Sequence, residues 1–299
     1  MKDGRTALIV DIRRNALDDG PGIRTLVFFK GCPLSCAWCH NPETKVAKQE
    51  LMFDAGPCIS CGDCADACGE LAIDLEAAGR IDRGLCTSCM DCVDACPSGA
   101  LKTAGTEYTV EDLAQLIMKD EPFFRHSGGG VTFSGGEPAM AMHFLGDLAA
   151  ELKGRGVHLN METSGMFRLE QLEEKVLGHL DMIFYDIKFI DAGLHEKYTG
   201  KSNAIILDNF TRLLDLAAVP VTARVPLVPG ITAVRENLEA IAAFLRQNSV
   251  SKVELLEYNP LWHDKAKGLG QVIEHEVGGF MSAEDRDLAW ECFRGFDIL

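Results

Sequence analysis

The sequence predicts an α/β protein: a partial (β/α)6 barrel of the TIM type, with a small cysteine-rich unit inserted near its start. Three observations predict it. Apolar, β-branched runs of strand length recur along the chain, separated by stretches with helical spacing. Those runs end in glycine-rich or polar residues, as loops at the carboxyl edge of a parallel sheet do. Eleven of the twelve cysteines lie between Cys32 and Cys96, and they interrupt the alternation from about residue 50 to 105. The expected division is therefore 1–50 for the first part of the barrel, 51–105 for the insert and 106–299 for the remainder.

The first βα unit opens with Thr25-Leu-Val-Phe-Phe-Lys30, a short β-branched and aromatic run closed by Gly31. Ala7–Val10 is an earlier apolar segment, and Gly20-Pro21-Gly22 reads as a tight turn ahead of the strand. Directly after the strand comes Cys32-Pro-Leu-Ser-Cys36-Ala-Trp-Cys39-His40. Three thiolates at this spacing can hold three irons of a [4Fe–4S] cube, because soft sulfur ligands suit iron–sulfur clusters. The fourth iron is left open for a substrate.

The insert is an internal duplication. Cys58-x2-Cys61-x2-Cys64-x3-Cys68 is followed by Cys86-x2-Cys89-x2-Cys92-x3-Cys96-Pro97, a period of 28 residues. This is the spacing of a two-cluster bacterial ferredoxin, in which the fourth cysteine of each run ligates the other cluster. One cube is then expected on Cys58, Cys61, Cys64 and Cys96, the other on Cys68, Cys86, Cys89 and Cys92. The first run departs from the pattern by ending in Cys68-Gly69. Zinc is the competing metal for C-x2-C pairs, but two matched four-cysteine runs favour iron–sulfur.

Beyond the insert, Val110–Lys119 has helical spacing with Thr109 as N-cap. Five further strands are expected at Val131–Ser134, Val157–Thr163, Met182–Lys188, Val219–Val228 and Val253–Tyr258. Their ends carry Ser134-Gly-Gly-Glu-Pro138, Glu162-Thr-Ser-Gly165, Asp186-Ile-Lys188, Arg224 to Gly230, and Pro260-Leu-Trp-His263. Each alone has an ordinary explanation as a turn, an ion pair or a packed ring. Their repetition at one edge of a sheet points to a site.

Net charge is −16 over 299 residues, which argues against unaided nucleic-acid binding. No secretory leader and no apolar run of bilayer length is evident, so a cytoplasmic protein without membrane contact is expected, and grouped cysteines there signal metal rather than disulfides.

These motifs together resemble a known family. Cys32-x3-Cys36-x2-Cys39, with Trp38 before the last cysteine, resembles the radical S-adenosylmethionine (SAM) enzymes. Asp19-Gly-Pro-Gly-Ile-Arg24, Cys39-His-Asn-Pro42, Ser127 to Pro138 and Tyr198-Thr-Gly-Lys201 narrow the resemblance to the activating proteins of glycyl radical enzymes. The insert resembles the subgroup whose partners act on small alcohols, amines, sulfonates or arenes. The resemblance implies that Cys32, Cys36 and Cys39 carry the catalytic cube and that SAM chelates its open iron. It places Trp38, Cys39 and His40 on the adenosyl side and Gly135 and Gly136 at the methionine amino group. Asp186, Ile187, Lys188 and His263 complete the pocket, and Glu162 and Thr163 stand near the SAM carboxylate. Cofactors are then three [4Fe–4S] clusters, with SAM as co-substrate. The implied partners are a glycyl radical enzyme, as a lyase or dehydratase of choline, glycerol, isethionate or hydroxyproline type, and flavodoxin or ferredoxin as electron donor. The motifs supply eleven ligands for twelve iron positions, with SAM as the twelfth, and Cys292 reads as a buried structural thiol. Two other readings stay open here: a radical SAM enzyme modifying another peptide or small molecule, and a ferredoxin-type electron-transfer protein.

Overall fold

The chain enters a sheet at β1 (Thr6–Ala16), which is half-buried, and turns back into β2 (Arg24–Phe29), buried at every position. A computed structural model describes residues 6–273 and 277–299. The insert follows, bounded by a two-stranded antiparallel sheet of β3 (Glu50–Phe53) and β4 (Leu101–Ala104) and containing α1 (Asp63–Asp66) and α2 (Asp91–Asp94). After β5 (Thr106–Thr109) come α3 (Val110–Ile117) and α4 (Glu121–Ser127). Four units then repeat: β6 (Gly130–Gly135) with α5 (Met142–Gly154), β7 (His158–Thr163) with α6 (Leu169–Lys175), β8 (Met182–Asp186) with α7 (Ala192–Thr199) and α8 (Ala204–Leu216), and β9 (Val221–Leu227) with α9 (Arg235–Gln247). The chain closes with β10 (Lys252–Glu257), α10 (Trp262–Gly268), α11 (Ala283–Cys292) and β11 (Asp297–Ile298).

These strands make one sheet in the order β11-β10-β9-β8-β7-β6-β2-β1-β5. The six expected strands are β2 and β6 to β10, adjacent in chain order and parallel throughout. Their inward side chains, among them Val27, Phe133, Met161, Tyr185 and Val225, are fully buried in the main core. Two antiparallel strands, β1 and β5, extend one edge, and the short β11 extends the other. The predicted N-cap is present: the Thr109 hydroxyl accepts from Asp112 N at the start of α3. Among the described residues no helix is long and apolar enough to cross a membrane.

Several glycines are explained by backbone contact. A Cβ on Gly130 would lie 2.0 Å from His158 O, and one on Gly136 would lie 2.2 Å from Gly31 O. Gly135 sits at φ +106°, a conformation other residues rarely adopt. The Gly-Gly after β6 therefore lets that loop touch the one after β2.

Candidate active site at the carboxyl edge of the sheet

The cysteine loop begins where β2 ends, and main-chain bonds fix its shape. Gly31 N donates to Thr44 O (2.6 Å) and Cys32 N to Lys45 O (3.0 Å), closing the loop on itself. Ser35 N and Ala37 N donate to Thr199 O and Tyr198 O at 2.8 and 2.9 Å, pinning it to the end of α7. Trp38 packs its ring edge-on to Phe189, with centroids 6.1 Å apart, and beside Tyr198, so this ring is committed to packing. The Tyr198-Thr-Gly-Lys201 motif thus supports the cysteine loop. His195, buried in α7, holds that support through its ring nitrogen at Lys201 O (2.6 Å) and Thr199 Oγ1 (3.0 Å).

Cys32, Cys36 and Cys39 are brought together in a buried setting. Burial raises the pKa of all three, with Cys36 pushed up to about 11, and Lys188 and Lys45 oppose the rise at Cys36 and Cys39. Thiols so placed are poor nucleophiles in isolation, but they suit a metal cluster whose positive charge holds the thiolate form. Lys188 is buried, bonds Asp186 Oδ2 at 2.7 Å and is raised to about 12; burial lowers it, and Asp186 with the nearby cysteines outweighs that. Two more groups fit an organic ligand. His40 Nε2 is buried without a hydrogen-bond partner among the described residues, and burial, with Lys265 nearby, lowers the His40 pKa to about 4. Tyr258 sits with its ring centroid 5.6 Å from that of His40 and its hydroxyl 3.4 Å from His263 Nε2. His40 and His263, remote in sequence, therefore face one aromatic side chain.

A second network joins the loops after β6 and β7. Glu137 is fully buried and accepts from Ala139 N, Thr163 Oγ1, Ser164 N and Ser164 Oγ at 2.6 to 3.2 Å. Thr163 spends its hydroxyl there. Its neighbour Glu162 turns the other way, accepting from Ser134 Oγ and pairing with Arg224. Arg224 also lies 3.0 Å from Glu254 and 5.0 Å over the Phe184 ring. Asp19 joins this group: burial, followed by Glu162, raises its pKa from 3.8 to about 7. Asp19 therefore keeps its proton to higher pH than a free carboxyl does. A raised acid stabilises the fold below its unfolded pKa and loses that contribution as pH rises through the folded value. Asp19→Asn should therefore abolish a stability loss that the unsubstituted chain shows between about pH 4 and 7. Parallel urea titrations across that range measure the difference; parallel curves would refute the assignment.

In the insert, the 28-residue duplication is visible in the backbone. α1 and α2 are related by that shift, and Ser60 and Ser88 share positive φ, as do Gly62 and Met90. Cys58, Cys61, Cys64 and Cys96 line one cavity. Cys92 is pushed up to about 11 by burial, then by Cys86, Cys68 and Cys89. Cys61 and Cys89 are exposed. Among the described residues, no group of three or more His, Cys, Asp or Glu closes to the spacing of a single bound metal ion. Cys292 is buried in the main core on α11.

Sequence reasoning gave no separate role to Glu137, Tyr258, Lys265 or Arg224. Glu137 and Arg224 were visible inside motifs, but contacts between distant loops leave no local pattern. Comparison with known proteins supplies the remaining step. The Radical SAM superfamily matches residues 26–245. The choline trimethylamine-lyase activating enzyme of Oleidesulfovibrio alaskensis is 36% identical over 98% of this chain and 97% of its own. The trans-4-hydroxy-L-proline dehydratase activating enzyme of Clostridioides difficile is 42% identical over 86% of each. Among solved structures, QueE from Escherichia coli shares the fold at a TM-score of 0.51 and 14% identity, over 98% of this chain and 92% of that one. The chain belongs to the radical SAM superfamily and, within it, to the activating enzymes of glycyl radical enzymes.

Proposed function

We propose that the partner of this activating enzyme is a lyase or dehydratase of a small polar substrate, of the choline, glycerol or diol, isethionate or hydroxyproline type. Similar relatives activate enzymes of choline, hydroxyproline and isethionate, which supports this range, while others at like identity activate benzylsuccinate synthase and 4-hydroxyphenylacetate decarboxylase. The observation that carries the SAM-cleaving part of the reading is one loop at the carboxyl edge of the sheet that brings Cys36, buried, together with Cys32 and Cys39, partly buried, near Lys188.

Cys32, Cys36 and Cys39 would hold the catalytic [4Fe–4S] cube. When bound, that cube supplies the electron that splits SAM into methionine and a 5′-deoxyadenosyl radical, which takes hydrogen from one glycine of the partner. The chain's own residues do the rest. Gly135 and Gly136 would receive the methionine amino group on their backbone; side chains at these positions would collide with Phe28 and Phe29 of β2 and with Gly31 O. Lys188 offers a buried cation beside Asp186, suited to the SAM carboxylate. Trp38 and Cys39, by their backbone, with Ile187, His40 and His263, would line the adenosyl side, and the buried setting keeps water from a reactive carbon.

Residues 51–105 are read as a ferredoxin-like unit with two further cubes on the sets given above, inserted between barrel parts 1–50 and 106–299. Flavodoxin or ferredoxin is the proposed donor, with the insert as its port of entry. The double substitution Cys61→Ala/Cys89→Ala should then slow flavodoxin-driven activation at least about tenfold while leaving SAM affinity within about twofold. Equal activation by that variant would remove the port role. The partner is tested by incubating the anaerobic protein, SAM and reductant with each of four candidate lyases and recording the glycyl radical by electron paramagnetic resonance. A radical on one of them identifies the partner; a radical on none of the four refutes the substrate range.

A further inference from the structure

We propose that Arg83 is a positioning residue. With the end of α10, it docks the insert in one orientation, making Cys68, Cys86, Cys89 and Cys92 the barrel-facing set and leaving Cys58, Cys61, Cys64 and Cys96 outermost. The inference rests on reading both sets as cluster ligands.

Arg83 lies between the two cysteine runs, three residues before Cys86. Its guanidinium donates to Leu51 O on β3 and to Gly268 O at the end of α10 (2.8 Å). One side chain therefore ties the insert's interior, its bounding hairpin and the main domain together. The contact is closely fitted: a Cβ on Gly268 would lie 2.6 Å from Phe53 O, and one on Gly270 would lie 3.3 Å from Arg83 Nε. The same helix reaches the catalytic loop. Lys265, one turn before Gly268, donates to His40 O (3.2 Å), Asn41 Oδ1 (2.9 Å) and Glu43 Oε1 (2.7 Å). Lys30, at the end of β2, donates to Glu43 O (2.6 Å) and Glu50 Oε2 (2.8 Å).

These bonds give the hairpin a direction. Its near end, Glu50 paired with Ala104, is held against the loop that follows Cys39. Its far end is Phe53 paired with Leu101. The cavity holding Cys58, Cys61, Cys64 and Cys96 is lined by Phe53 and Leu101, at that far end. Leu51, two residues nearer the barrel, accepts from Arg83, which stands three residues before Cys86. The apolar cluster of Leu51, Leu101 and Cys92 takes in Cys86 and also Cys64 and Cys96. The order of the two sets therefore rests on the Arg83 anchor at Leu51 against the cavity at Phe53 and Leu101, about 7 Å apart along the strand. The Arg83 charge supports the placement: burial lowers its pKa, and Cys86 and Glu50 are the groups that oppose this.

The test reads distance rather than turnover. In fully loaded, dithionite-reduced protein, the paramagnetic signal of the SAM-bound cube should be broadened by a neighbouring reduced cube. Cys89→Ala/Cys92→Ala should remove that broadening, and Cys61→Ala/Cys64→Ala should leave it. Arg83→Gln, retaining its full iron content, should weaken it and raise hydrogen exchange at residues 51–53 and 262–268 about tenfold, the scale of one or two lost hydrogen bonds. Loss of broadening in the Cys61/Cys64 variant, in both variants or in neither overturns the order. Unchanged exchange in Arg83→Gln overturns the docking role, and that readout holds even if the insert carries no iron. Broadening that follows the expected pattern, with activation unaffected, would retire the electron-entry reading and leave the placement standing.

Discussion

Replacing Cys36 with alanine is expected to abolish 5′-deoxyadenosine formation while leaving most of the iron in place. Cys36 is the middle cysteine of the three in its loop and the buried one, Cys32 and Cys39 being partly buried, and no other cysteine of the main domain shares that loop. If the three cubes are present, the unsubstituted protein should bind about twelve irons, and the variant about eight, at four per cube. Anaerobic reconstitution with SAM and dithionite measures both quantities in one preparation. About eight irons in the unsubstituted protein, with no SAM cleavage, would leave only a two-cluster carrier and refute the role given to Cys32, Cys36 and Cys39.

The second large effect is structural. Glu137→Ala removes the acceptor for four buried donors: Ala139 N, Thr163 Oγ1, Ser164 N and Ser164 Oγ. Each donor left without a partner costs about 1–3 kcal/mol, so a loss of about 3–5 kcal/mol is expected once local rearrangement is allowed for. Glu137→Gln keeps an acceptor oxygen and should lose less. Urea unfolding under anaerobic conditions gives the difference, and a change below about 1 kcal/mol would show that the network contributes little. Burial raises the Glu137 pKa despite those donors.

The parts legible in the sequence are those with a local signature. A parallel strand buried on both faces is largely apolar, which is how β2 and β6 could be placed without coordinates. By contrast, β7 and β10 carry polar residues between their apolar ones and were legible from the repeated alternation of strand and helix. The cysteine runs are legible because they keep the fixed spacing that cluster ligation requires. β1 was visible only as the apolar segment Ala7–Val10, because its outer half is exposed at a sheet edge and carries Asp11, Arg13 and Arg14. The Lys265 contacts with His40, Asn41 and Glu43 span more than 220 residues, so no window of sequence could contain them. The glycines after β6 occupy an intermediate case. Their motif was plain, but the backbone collision that demands them depends on how two loops meet.

The bonds that fix the cysteine loop bear on how this protein withstands air. Gly31, Cys32, Ser35 and Ala37 are all held by main-chain bonds to Thr44, Lys45, Thr199 and Tyr198, and not one of these bonds involves a thiol. A protein stripped of its catalytic iron by oxygen therefore keeps the mould into which fresh iron and sulfide can be set. The insert has far less to fall back on, with two four-residue helices and a small apolar cluster that itself includes cysteines. Damage should then be repairable in the main domain and costly in the insert, so on the electron-entry reading proposed above exposure to oxygen would cut the supply before it destroyed the site.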